Sequence, residues 1–133
     1  MDILVTGGKG VVGTYLVQML QEMGHKVWVC DLKHSHEDNY YRCDVGVYRQ
    51  LQKIFSQHSF DFVYHLAAEY GRWNGEDYFE DLWLTNAVGT KNILRLQQEH
   101  GFKLVFTSSS EVYGDYEGIM SEDVMDNRNK ADE

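Results

Sequence analysis

Apolar positions along the chain alternate between short continuous runs and repeats at helical spacing. Ile3-Leu4-Val5-Thr6 is an apolar run that ends in glycines, the pattern of a buried strand. Val12, Leu16, Met19, Leu20 and Met23 then recur at the spacing of one helix face, and Gly24 supplies a C-terminal stop. Lys26-Val27-Trp28-Val29-Cys30 reads as a second strand, His34 to Asn39 as a polar loop, and Tyr40 to Cys43 as a short third strand. Val47, Leu51, Ile54 and Phe55 mark a second helix, and Phe62-Val63-Tyr64-His65-Leu66 the next strand. Phe79, Leu82, Trp83, Ala87, Thr90, Ile93 and Leu94 predict one apolar face of a long helix that Gly101 closes. Lys103-Leu104-Val105-Phe106 is the last clear strand, and after Gly114 periodicity fades.

Strands that alternate with helices imply parallel strands joined by right-handed crossovers, with helices needed on both faces of the sheet. The expected class is α/β, a Rossmann-type doubly wound parallel sheet. The 133 residues suit one compact domain, placed at 1–114, with an acidic, flexible tail over 115–133. No apolar run approaches the roughly 18 residues that span a bilayer, so no membrane association is expected. The start, Met1-Asp2-Ile3-Leu4-Val5, has no basic segment and runs directly into a strand pattern, unlike a signal peptide.

Charge and cysteine content narrow the function classes. The formal charge of −9 argues against a nucleic-acid partner, which needs a basic footprint, but not against small anionic ligands held by backbone dipoles. The two cysteines, Cys30 and Cys43, make no disulfide framework and suit a reducing cytoplasm. Each precedes an aspartate at a strand end, which would bring them close. Two buried thiols are the expected reading, ahead of a redox pair.

Thr6-Gly7-Gly8-Lys9-Gly10-Val11-Val12-Gly13 lies between the first strand and the first helix. Glycines there permit a tight turn and close backbone approach to a pyrophosphate, while the helix N-terminus offers unpaired N–H groups and its positive dipole end. Gly13 would let the helix pack against the strand. Asp31 stands at the end of the second strand, 18 positions beyond Gly13, where a carboxylate can accept hydrogen bonds from adenosine ribose hydroxyls. It would also repel a 2′-phosphate, which favours NAD over NADP; Lys33 and His34 nearby temper that preference.

With these residues in place the chain resembles the extended short-chain dehydrogenase/reductase family, in its NAD-dependent sugar-nucleotide epimerase/dehydratase branch. The glycine turn is similar to its TGxxGxxG fingerprint. Cys43-Asp44-Val45 resembles its aspartate–hydrophobic pair after the third strand, and His65-Leu66-Ala67-Ala68 its HxAA motif. Thr85-Asn86-Ala87-Val88-Gly89-Thr90-Lys91-Asn92 resembles its TNxxGTxN helix motif, and Ser108-Ser109-Ser110-Glu111-Val112-Tyr113-Gly114 its SSxxVYG signature. The resemblance implies that Gly7, Gly10, Val11 and Val12 line the pyrophosphate of NAD, with Gly13 in the same fingerprint. It implies that Asp31 holds the ribose and that Asp44 and Val45 hold the adenine. Leu66, Ala67, Ala68 and Thr85 would then contact the middle of the cofactor, and Asn86 would tie the helix to the sheet. Ser109 takes the place of the catalytic serine or threonine that hydrogen-bonds a sugar oxygen. Glu111 stands where dehydratases carry the glutamate of an Asp-Glu pair; it reads equally as a base or as a loop-orienting group. Ser110 replaces the aspartate, which favours an epimerase or decarboxylase over a dehydratase. The implied substrate is a nucleotide sugar, oxidised transiently, with a homodimer expected for a full-length protein.

The family's downstream Tyr-x-x-x-Lys is missing: none of the nine tyrosines has a lysine four positions later. The expectation is an N-terminal fragment that is inactive alone and leaves one sheet face bare. The alternative is a non-catalytic NAD-binding module. The six histidines show no metal-ligand spacing, so no metal is expected. His65 reads as a satisfied core histidine, and Trp28, Trp73 and Trp83 as packing residues, with Trp73 in a loop (69–76) that could face substrate.

Overall fold

The computed structural model describes residues 1–70, 79–113, 118, 119, 121 and 122, without the side chains of Ser110 and Glu111. Trp73, most of the acidic stretch and the Glu111 side chain therefore lie outside the described residues.

Five strands form one parallel sheet: β1 (Asp2–Thr6), β2 (Lys26–Asp31), β3 (Tyr40–Arg42), β4 (Phe62–His65) and β5 (Lys103–Phe106), in the order β3-β2-β1-β4-β5. The central strand β1 is apolar on both faces because both are covered: Ile3, Leu4 and Val5 are all buried. Its register sets Thr6 opposite Cys30 on one side and His65 on the other. The order reverses at β1, so a crevice opens beyond the strand ends between β1 and β4, where ligands bind in open α/β sheets.

Helix α1 (Val11–Glu22) lies on one face, and α2 (Tyr48–Gln57) and α4 (Thr90–His100) on the other. Leu51, Ile54 and Phe55 of α2 and Ile93 and Leu96 of α4 close over Leu4, Trp28, Cys30 and Val63. Each fully buried aliphatic side chain contributes roughly 1.5–3 kcal/mol. On the opposite face Leu16, Val17 and Leu20 of α1 pack on Ile3, Val5, Val27 and Val29. Among the described residues nothing comparable covers β4 and β5 on that side: Phe62 and Tyr64 are half-buried and Val105 is exposed.

Two predicted helix faces differ from the structure. On α1 the buried line runs through Gly13, Leu16, Val17 and Leu20, while Val12, Met19 and Met23 point to solvent. The apolar stripe is broader than the surface available to cover it. The long helix is not uniform either. A short turn α3 (Phe79–Leu82) leads into a π-helical segment (Trp83–Gly89) before α4 begins. The wider turn shifts the helical phase, so residues spaced for one α-helical face do not share it. Ile93 is buried, whereas Phe79, Trp83 and Leu94 are exposed, and Trp83 is not the packing residue that its size suggests. Trp28 does pack, buried against Phe60 and His58. No helix among the described residues is long and apolar enough to cross a membrane.

Candidate functional site

The glycine turn starts where β1 ends. Gly7 adopts φ +70, and its N–H donates to the Cys30 carbonyl at 2.8 Å. A Cβ there would meet Ala67 N at 2.8 Å, so only glycine allows the turn to press against the segment after β4. Gly10 N–H donates back to the Gly7 carbonyl at 3.0 Å, and Gly10 then caps α1. At Gly13 a Cβ would lie 2.3 Å from the Gly7 carbonyl oxygen, so the first turn of α1 sits directly on the loop. First-turn amides of a helix have no partner within it, and they end beside the crevice.

Asp31 reaches this turn. Its Oδ2 accepts the Lys9 N–H at 2.9 Å and its Oδ1 the Lys33 N–H at 3.2 Å. Lys33 Nζ folds over to the Lys9 carbonyl at 3.0 Å, and Lys9 pairs with Glu37. His34 turns aside to stack edge-on against His36 at 4.6 Å. Tyr40 Oη donates to the carbonyls of Asp31 (3.2 Å) and Lys33, which fixes the strand end that presents the carboxylate.

A cavity of about 290 Å³ gathers Gly7, Gly10, Asp31, Asp44, Val45, Leu66, Ala67, Ala68 and Thr85, nine of the twelve residues expected at a cofactor site. Lys33, Cys30 and Cys43 also face it. Val11, Val12 and Gly13 are not in its wall, and Val11 is 83% exposed. The two thiols are free, buried neighbours, and the Cys43 contact followed by burial holds the Cys30 thiol well above its usual range.

A second cavity of about 740 Å³ adjoins the first through Ala67, Ala68 and Glu69 and carries Ser109, His65, Tyr70, Asn86 and Thr90. Thr85 faces the first cavity and its neighbour Asn86 the second, as consecutive residues of a helix point in different directions. Asn86 Oδ1 accepts the Glu69 N–H at 2.8 Å and its Nδ2 donates to the Glu69 carbonyl at 3.0 Å, so it ties the helix to the loop after β4 rather than to a strand. His65 is buried, with Nδ1 2.7 Å from Thr6 Oγ1 and Nε2 3.2 Å from Thr90 Oγ1. Burial pushes its pKa down to about 4, so it is neutral at pH 7. Among the described residues no His, Cys, Asp or Glu cluster could hold a metal.

Sequence reasoning left two residues of this region without a role, Gly89 and Asn92. Their signal was present in the TNxxGTxN pattern, but their partner, the loop after β3, lies more than forty residues away.

Known proteins resemble this chain in sequence and in fold. A family-wide sequence profile described as NAD dependent epimerase/dehydratase family matches residues 3–131. The UDP-glucose 4-epimerase of Halalkalibacterium halodurans is 36% identical over 128 residues, covering 86% of this chain and 36% of that protein. The UDP-N-acetyl-alpha-D-glucosaminuronate decarboxylase of Bacillus cytotoxicus is 32% identical over 130 residues, covering 90% and 40%. The solved UDP-glucose 4-epimerase of Thermus thermophilus, in complex with NAD, superposes with a TM-score of 0.82 at 27% identity, over 94% of this chain and 43% of that one. The chain thus spans well under half the length of each of these relatives. The match over nearly all of its residues, together with the shared fold, means that this chain belongs to the NAD dependent epimerase/dehydratase family.

Proposed function

We propose that this chain binds NAD in the crevice beyond β1, β2 and β4 and supplies the cofactor half of an enzyme that transiently oxidises a nucleotide-linked sugar. The observation that carries the reading is the Asp31 carboxylate held on the glycine turn through the Lys9 amide at 2.9 Å. The same cavity wall brings Asp31 together with Gly7, Gly10, Asp44 and Val45, and the glycine turn has no room for added Cβ atoms at Gly7 or Gly13. This donor and acceptor set fits a dinucleotide: carboxylate for ribose hydroxyls, backbone amides for the diphosphate, and a loop carboxylate with an apolar neighbour for the base.

When bound, NAD would accept a hydride from the sugar and return it. Asp31 would accept hydrogen bonds from the ribose hydroxyls and disfavours a 2′-phosphate by like charge, which makes NAD the preferred form. Asp44 and Val45 face the adenine, Gly7 and Gly10 with the first-turn amides of Val11, Val12 and Gly13 the pyrophosphate, and Leu66, Ala67, Ala68 and Thr85 the middle of the cofactor. Ser109, in the adjoining cavity, hydrogen-bonds the sugar oxygen that gains carbonyl character. Glu111 is assigned to the same loop, as base or as orienting group. The named relatives act on UDP-linked sugars, which supports a substrate of that class. Ser110 in place of an aspartate favours epimerisation or decarboxylation over water elimination. The exposed Phe79 and Trp83 support pairing of two copies in the whole protein, and the two free thiols support a reducing, cytoplasmic setting.

A second reading is an NAD-binding module without chemistry, since the cofactor cavity is assembled by the described residues alone. On either reading the chain alone should bind NAD without turnover. Calorimetric titration of the chain and of Asp31→Ala with NAD tests the shared part, and a folded wild-type chain that takes up no NAD ends both readings. With the native downstream segment supplied, turnover of a UDP-sugar that Ser109→Ala depresses would favour the enzyme. Normal turnover in that variant would remove the serine from the mechanism.

A further inference from the structure

We infer that Asn92 and Gly89 are positioning residues that set the loop Asp44-Val45-Gly46, and through it the preference of the cavity for a 6-amino purine; this rests on the NAD site proposed above. Asn92 is a polar side chain on the inward face of α4, only 3% exposed. A buried amide of this kind is costly unless its donors are used. Here Nδ2 donates to the Val45 carbonyl at 2.9 Å and to the Gly46 carbonyl at 3.2 Å. Both acceptors belong to the loop after β3, and Val45 and Asp44 face the cavity.

Gly89, one turn earlier, is buried against the same loop. A Cβ there would lie 2.7 Å from Val45 Cγ2 and 3.3 Å from Val45 Cβ. Gly46 is equally confined, since a Cβ on it would meet the Leu84 carbonyl oxygen at 3.1 Å. On its other side the loop is pinned locally: Asp44 N–H donates to Gln50 Oε1 at 2.8 Å, and Gly46 N–H to Asp44 Oδ1 at 2.8 Å. The helix thus holds the loop from behind while α2 holds it from the side, and the two together fix where the Asp44 carboxylate points.

That direction matters chemically. An ionised carboxylate only accepts hydrogen bonds, so it favours a base that presents an amino group over one that presents a carbonyl oxygen at the same position. The discrimination depends on hydrogen-bond geometry, which tolerates only a few tenths of an ångström. A residue that merely fills the core would change stability and weaken all ligands alike. A residue that positions Asp44 changes the ratio between 6-amino and 6-oxo bases.

The test is calorimetric titration of the wild-type chain, Asn92→Leu and Gly89→Ala with NAD and with nicotinamide hypoxanthine dinucleotide, alongside thermal melts. Wild type is expected to prefer NAD by about tenfold, and the folded variants to bring the two affinities within about twofold of each other. An unchanged ratio, whether or not both affinities fall, overturns the inference while leaving the NAD site standing. Binding of neither dinucleotide by wild type removes the NAD reading and this inference with it. If neither variant folds, the wild type decides: the Asn92 side-chain amide protons should exchange slowly and shift on NAD addition, and rapid exchange with no shift overturns the assignment.

Discussion

The Asp31 carboxylate accepts the Lys9 amide proton at 2.9 Å, joining the end of β2 to the centre of the glycine turn. One acidic side chain thus orders the turn and presents negative charge in the crevice. Lys33 folds its ammonium over the same turn and supplies a nearby cation. Asp31→Ser should therefore weaken NAD binding by roughly tenfold or more, through loss of a charged acceptor. It should narrow the gap between NAD and NADP at the same time, because Lys33 remains. Titration with both cofactors checks this; an unaltered NAD to NADP ratio would show that Asp31 does not read the ribose.

His65 should make stability depend on acid. Its folded pKa of about 4 lies below the ordinary value of 6.5, so between those values the unfolded chain binds a proton that the folded chain does not. The contribution is complete above pH 6.5 and is lost as pH falls towards 4, by about 3 kcal/mol at most. His65→Gln has no imidazole to titrate, so the difference in unfolding free energy between wild type and variant should shrink over that window. Urea melts from pH 7 to pH 4 measure it, and parallel curves would show that His65 titrates normally.

Gly13→Ala places a methyl group 2.3 Å from the Gly7 carbonyl oxygen, a backbone atom that cannot rotate away. Destabilisation of about 1–3 kcal/mol is expected, as for overpacking. NAD affinity should fall further than stability alone explains, since the displaced turn is the proposed diphosphate cradle. A melting temperature within a degree of wild type would contradict the close packing of α1 on this turn.

The two apolar lines of the chain should respond in opposite ways. Leu51→Ala opens the centre of the larger core, where Leu51 is fully buried, and should cost about 2–5 kcal/mol. Met19→Lys falls on the exposed side of α1 and should change stability by less than about 0.5 kcal/mol. Denaturant titration of both variants distinguishes them, and a large loss from Met19→Lys would mean that α1 buries a different face.

The sequence by itself determined the order of elements, the glycine turn and the grouping of most of the residues proposed to face the cofactor. Each of these depends on local period or on residues at strand ends, and a parallel βαβ chain delivers all strand ends to the same edge. Asp31, Asp44 and Leu66 therefore share a cavity for a reason legible in one dimension. Only the tertiary structure decided which side of each helix is covered, because that depends on which neighbours arrive: Trp83 and Met19 look like core residues by pattern and stand in solvent. It also decided the contacts that carry no period at all, such as Asn92 on Val45 and His65 on Thr6, which join residues 47 and 59 positions apart. Hydrogen bonds of that kind follow from register and side-chain direction, which emerge when the sheet and its helices have packed.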